Sequence, residues 1–262
     1  MIHTARVYAP QTESVDNPIG IDGIECMEFS TKDPPQLQNL LDRLGFTPVA
    51  RHKTKNILLY RQGDINFLIN GEPGSFASNQ IAIGLKVKDA KIAYQRLIDR
   101  GASPYTKDNT TFQTPTIYGV DGGLIYLFNA DEDYQIYKEN FEPLSIQPTG
   151  HVGLNHLDGI TVGPERKGEW TEFFSKLFNF SAQDSKTSLV SPCGRIHIHT
   201  SQDPDVQWQI SFGTDHAIKT VETLKKAGLD FFETGEGVLT RYFSAKTLLE
   251  NISFEIRQNI KI

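Results

Sequence analysis

The chain has 262 residues, enough to bury a large core in one or two domains. Its 26 Lys and Arg stand against 32 Asp and Glu, a net charge of -6. That balance excludes a general nucleic-acid surface, and no apolar run reaches membrane-spanning length. The two cysteines, Cys26 and Cys193, lie far apart without CxxC spacing, so no disulfide framework is expected and a reducing cytoplasm is.

Met1 to Asn17 is polar, lacks a signal-peptide core and reads as a flexible arm, 1–17. Beyond it one unit recurs four times. The first copy opens with a strand at Ile24 to Phe29. A helix follows, carrying Leu37, Leu40, Leu41 and Leu44 and stopped by Gly45; strands come next at Ile57 to Tyr60 and Ile65 to Ile69. The second runs through Ile81 to Val87, a helix from Lys88 to Arg100 stopped by Gly101, and strands near Thr116 and Leu124 to Phe128. The third has a strand at His156 to Val162, a helix at Glu169 to Phe178 and a strand at Arg195 to His199. The fourth has a strand at Val206 to Phe212, a helix at His216 to Ala227 stopped by Gly228, and a last strand at Ile252 to Ile256. Duplication of a strand–helix–strands block predicts an α+β fold of two domains, each of paired βαβββ modules. The charged, proline-bearing stretch 132–150 reads as the linker between them.

The residues also carry a resemblance. Asn17 to Glu25, Ala50 to Lys53, Leu59 to Phe67, Lys86 to Ala90, Asn155 to Leu157, Phe173 to Phe180, Ser191 to Ile196 and Phe254-Glu255 resemble the vicinal-oxygen-chelate superfamily, and within it the 4-hydroxyphenylpyruvate dioxygenase family. The likeness covers nearly all of the chain after the arm. It implies a non-catalytic N-terminal domain at 18–131 and a metal- and substrate-binding domain at 151–262. In the first half Gly23 and Leu127 stand where the second half has His156 and Glu255.

The family holds Fe(II) through two histidines and a glutamate, leaving positions open for a chelating 2-oxo acid and O2. By resemblance His156 matches the first histidine and Glu255 the glutamate, and the second histidine falls on Gln209. Alternation supports Gln209 over Trp208: in Val206 to Phe212 one face is Val, Trp, Ile, Phe and the other Gln, Gln, Ser, and the polar face must turn away from the covering helix. Gln209 is either a metal ligand or simply a polar cleft residue. A neutral amide oxygen is a weaker donor than imidazole, which widens the choice of divalent metal to Mn(II) or Mg(II). His197 and His199 alternate with Ile196 and Ile198, so both face the cleft, and His199 is an alternative ligand. The resemblance places Ser201, Arg241, Phe243 and His199 at the substrate, with Arg241 suited to a second carboxylate.

Three readings remain open: a metal-dependent enzyme acting on a small, aromatic-first 2-oxo or 2-hydroxy acid; a shortened 4-hydroxyphenylpyruvate dioxygenase of tyrosine catabolism; and a catalytically inactive small-ligand binder. The expected partner is a small-molecule acid rather than nucleic acid or membrane, with a homo-oligomer allowed.

Overall fold

The computed structural model describes residues 17–72, 81–131, 135–146, 152–182, 188–201, 208–233, 242–245 and 253–258; the side chains of residues 208 and 242–245 lie outside the description. The first module is β1 (Ile21–Ser30), α1 (Pro34–Arg43), β2 (Thr47–His52), β3 (Ile57–Gln62) and β4 (Ile65–Asn70). The second is β5 (Ile81–Val87), α2 (Ala90–Asp99), β6 (Thr116–Tyr118) and β7 (Leu124–Asn129). After α3 (Gln135–Asn140) and β8 (Phe141–Pro143), the third is β9 (His156–Val162), α4 (Lys167–Phe178), β10 (Ser181–Ala182), β11 (Ser188–Val190) and β12 (His197–Thr200). The fourth is β13 (Trp208–Thr214), α5 (Ala217–Lys226), β14 (Phe231–Glu233), β15 (Tyr242–Ala245) and β16 (Ser253–Gln258).

These strands form two eight-stranded sheets, ordered β6-β7-β5-β1-β4-β3-β2-β8 and β10-β11-β12-β9-β13-β16-β15-β14. In each sheet the first strands of two modules lie antiparallel at the centre (β1 with β5, β9 with β13), and each pairs in parallel with the last strand of its own module. The repeat read in the sequence is therefore a repeat of topology, and the fold is α+β. The stretch 132–150, read as the linker, carries α3 and β8 in its described part, and β8 extends the first sheet by pairing with β2.

The helices start and stop where local chemistry dictates. Asp33 and Asp89 cap α1 and α2 by accepting from the backbone N–H groups of Gln36 and Ile92. Gly45, Gly101 and Gly228 follow α1, α2 and α5 at φ of 81°, 94° and 82°, the left-handed turn that ends a helix at little cost only for glycine. The apolar helix faces share one core with both sheets, in which Phe46, Phe67 and Phe212 meet. Arginines at the ends of first-half helices reach the helix ends of the second half. Arg43 donates to the carbonyls of Ala227 and Gly228, and Arg100 to that of Leu177 and to Asn179 Oδ1, satisfying acceptors that a helix end leaves free.

Candidate functional site

The two sheets differ on the faces turned away from the helices. On the first sheet that face is apolar and covered. Phe112, Tyr137 and Phe141 pack with Tyr126 and Phe128 over Cys26, Leu59, Leu68 and Ala82. A carboxylate beneath them, Glu28, is fully buried and accepts from Asn70, Thr111 and Tyr126. Burial outweighs these donors and pushes its carboxyl above the ordinary value.

On the second sheet the corresponding face is polar. Alternation along the strands puts it there. Ile196 and Ile198 enter the core while His197 and His199 face the other way; Ile210 and Phe212 enter it while Gln209 and Ser211 do not. In β16, Phe254 and Ile256 are core residues, leaving Glu255 and Arg257 on the polar face. One irregularity adds a residue to it. Ser211 pairs with Gly159 but Phe212 with Leu157, so Asp158 is the extra residue of a β-bulge. Gly159 makes the bulge feasible, because a Cβ at that position would overlap the His197 carbonyl of β12.

The bulge brings Asp158 beside both histidines. Asp158 Oδ1 lies 3.3 Å from His197 Nδ1, and Oδ2 lies 3.5 Å from His199 Nε2. The rings of His197 and His199 are nearly parallel, with centroids 5.5 Å apart. Among the described residues, these three are the one set of three or more His, Cys, Asp or Glu whose ligand atoms all lie within 4.8 Å of one another. Burial alone would raise the Asp158 carboxyl, but the two imidazoles and the Arg257 guanidinium hold it well below the usual carboxylate range. His199 is held below its ordinary value by burial and by Arg257, against the opposing pull of Asp158.

Glu255 and Arg257 form a second group on the same face. Glu255 Oε2 accepts from Arg257 Nε at 2.9 Å and Nη2 at 2.7 Å, from Ser211 Oγ at 2.9 Å and from Thr161 Oγ1 at 3.1 Å. Arg257 Nη1 donates to His199 Nε2 and lies 3.8 Å from Asp158 Oδ2. The guanidinium therefore bridges both carboxylates on this face.

The expected site residues are distributed as follows. Gln209 and Glu255 are buried on the polar face of adjoining strands. His156 stands at the start of β9 with its side chain 46% exposed, its Nε2 3.9 Å from Asp158 Oδ1. Glu255 offers a metal its Oε1, because Oε2 already accepts from Arg257, Ser211 and Thr161. His199 does lie in the ligand cluster. Ser201 follows β12, half-buried, its N–H bonded to the Val162 carbonyl. Phe243 lies in β15 opposite Ile256, with its side chain outside the description, and Arg241 lies outside the described residues. Sequence reasoning passed over Asp158 and Arg257. The signal for Arg257 was its place two residues after Glu255, and that for Asp158 was a glycine inside a strand, which often marks a bulge.

Residues 15–142 match the family model described as "Hydroxyphenylpyruvate dioxygenase, HPPD, N-terminal". The chain is 31% identical over 259 residues to 4-hydroxyphenylpyruvate dioxygenase of Pseudomonas sp. (strain P.J. 874), covering 82% of this chain and 72% of that one. It is 30% identical over 266 residues to hemolysin VllY of Vibrio vulnificus (strain CMCP6), covering 83% of this chain and 74% of that one. Among solved structures, a xylose isomerase-like TIM barrel/4-hydroxyphenylpyruvate dioxygenase fusion protein superposes with a TM-score of 0.76 at 23% identity. That match covers 91% of this chain and 49% of the fusion, and at such identity it speaks to the fold alone.

Proposed function

The chain belongs to the 4-hydroxyphenylpyruvate dioxygenase family of the vicinal-oxygen-chelate superfamily, and from that premise we propose that it is an enzyme taking a small 2-oxo or 2-hydroxy acid, aromatic ones first, onto the polar face of its second sheet. The observation that carries this reading is the contrast between the sheets. The same face of the first sheet is filled by Phe112 and Tyr137, whereas the second presents ionisable side chains from β9, β12 and β16. Charged groups gathered on one face of a sheet, with their partners fixed, are what a small anion requires for orientation.

Arg257 is the group suited to the acid. Its Nε and Nη2 are held by Glu255, so the guanidinium plane is fixed before any ligand arrives, and Nη1 points toward His199 and Asp158. A carboxylate approaching from that side would take Nη1 in exchange for His199 while Glu255 keeps Nε and Nη2, and a fixed fork loses little freedom on binding.

A second reading, capture of the acid without turnover, is favoured by that same ion pair. A guanidinium seated on Glu255 supplies positive charge but no open coordination position. Anaerobic titration of Fe(II)-supplemented protein with 4-hydroxyphenylpyruvate and smaller 2-oxo acids, followed by admission of O2, separates the two. Saturable binding followed by O2 uptake and an oxidised product supports the enzyme. Binding without O2 uptake supports capture, and absence of binding by any 2-oxo or 2-hydroxy acid refutes both.

A further inference from the structure

We propose that Asp158, His197 and His199 form a binding site for one divalent first-row transition-metal ion, distinct from the set His156, Gln209 and Glu255. The proposal deepens the preceding reading and rests on it only for the identity of the site as the acid-binding face.

Three observations carry it. The first is metric. Ligand atoms bonded to one tetrahedral ion at about 2.1 Å stand about 3.4 Å apart. One ligand atom from each of Asp158, His197 and His199 lies within 4.8 Å of the other two, and each imidazole has an Asp158 oxygen at 3.3 or 3.5 Å, so small side-chain shifts bring the three donors onto one such ion. The second is an orphaned nitrogen. His197 Nδ1 is buried and makes no hydrogen bond among the described residues; its approach to Asp158 is close but misaligned. A buried ring nitrogen without a partner is costly, and metal coordination is a common way to satisfy one. The third is charge. Asp158 and Glu255 bring two negative charges and Arg257 one positive, so an acid bound on this face would leave two negative charges unmatched, the number that a divalent ion neutralises.

The donor set names the class of ion. Two imidazole nitrogens and one carboxylate oxygen suit Fe(II), Co(II), Zn(II) or Mn(II) rather than Ca(II), and three protein donors leave positions free for a ligand. The local structure is suited to holding them. His197 and His199 project from one face of one strand, and Asp158 is fixed by a bulge whose Gly159 lies against the His197 backbone. Arg257 competes, because its Nη1 donates to the His199 Nε2 lone pair that the ion would need.

The test uses the full chain, stripped with a chelator and titrated with Co(II), whose visible absorption reports both stoichiometry and ligand geometry. One Co(II) per chain is expected, displaced by Zn(II). His197→Ala, His199→Ala and Asp158→Asn should each weaken Co(II) binding at least about tenfold, the loss typical of disturbing a metal's shell. His156→Ala and Gln209→Ala should leave it unchanged, and Arg257→Met should tighten it. Unfolding transitions in chelator show whether each variant remains folded; Asp158→Asn, which preserves side-chain size, decides the matter if a histidine variant does not fold. The proposal is overturned if the wild type binds neither ion, if the histidine variants bind as the wild type does, or if His156→Ala or Gln209→Ala abolishes binding. Because Co(II) binding is read without any acid, a chain that binds a 2-oxo acid but no metal ion would refute this site and leave the functional reading standing.

Discussion

Replacing Arg257 with Met should destabilise the metal-free protein by about 3 kcal/mol. The estimate follows from what is left behind. Glu255 is buried, and of the four donors to its Oε2 two come from Arg257 and two from the hydroxyls of Thr161 and Ser211. Breaking one side of a buried pair costs roughly 3–5 kcal/mol, because the remaining charge is stranded. The retained hydroxyl donors and the pair's residual exposure of 12% and 9% place this case at the lower end. Substituting both partners, Arg257→Met with Glu255→Gln, removes the stranded charge and should recover most of the loss. The assay is denaturant unfolding of the wild type, both single variants and the double variant in chelator, with circular dichroism and Trp fluorescence required to coincide before a free energy is extracted. A loss below about 1 kcal/mol in Arg257→Met would place the pair in the range of a surface ion pair and refute the argument. The same variant is expected to bind Co(II) more tightly, so stability and metal affinity should move in opposite directions.

Two further outcomes are expected. Gly159→Ala forces a Cβ into the His197 carbonyl; it should cost about 1–3 kcal/mol, as overpacking does, and weaken Co(II) binding by shifting Asp158, so a variant with wild-type stability and affinity would show that the bulge is not needed. Burial raises the folded-state value of Glu28 above its unfolded value of about 4.3, so its contribution to stability is present in full below that pH and is lost as pH rises through the folded value. Glu28→Gln should therefore gain on the wild type as pH rises from 4 toward 8, and chemical unfolding across that range with a flat or opposite difference would refute it.

Much of the fold was legible because it rests on local chemistry. The leucines of α1 recur at helical spacing, and Gly45, Gly101 and Gly228 end their helices in a conformation that glycine adopts freely. The polar face of β13 could be read from alternation alone, since a one-residue slip would have turned Gln209 and Ser211 into the core and Ile210 and Phe212 out of it. The same reasoning put His197 and His199 on one face, and the order of strands and helices was enough to show four modules.

What the sequence by itself could not determine is which atoms meet. Whether a sheet face is filled or polar depends on Phe112 and Tyr137, which reach the first sheet from outside its strands and have no described counterpart on the second. Asp158 joins His197 and His199 only because β9 pairs with β13 through a bulge, and a bulge belongs to two strands at once. Glu255 carries the expected residue type at the expected place, yet its chemistry was decided by Arg257 folding back across the same strand face. Strand alternation is a one-body property and is written in the chain. Register, covering and ion pairing are properties of two or more segments brought together, and only the tertiary structure specifies them.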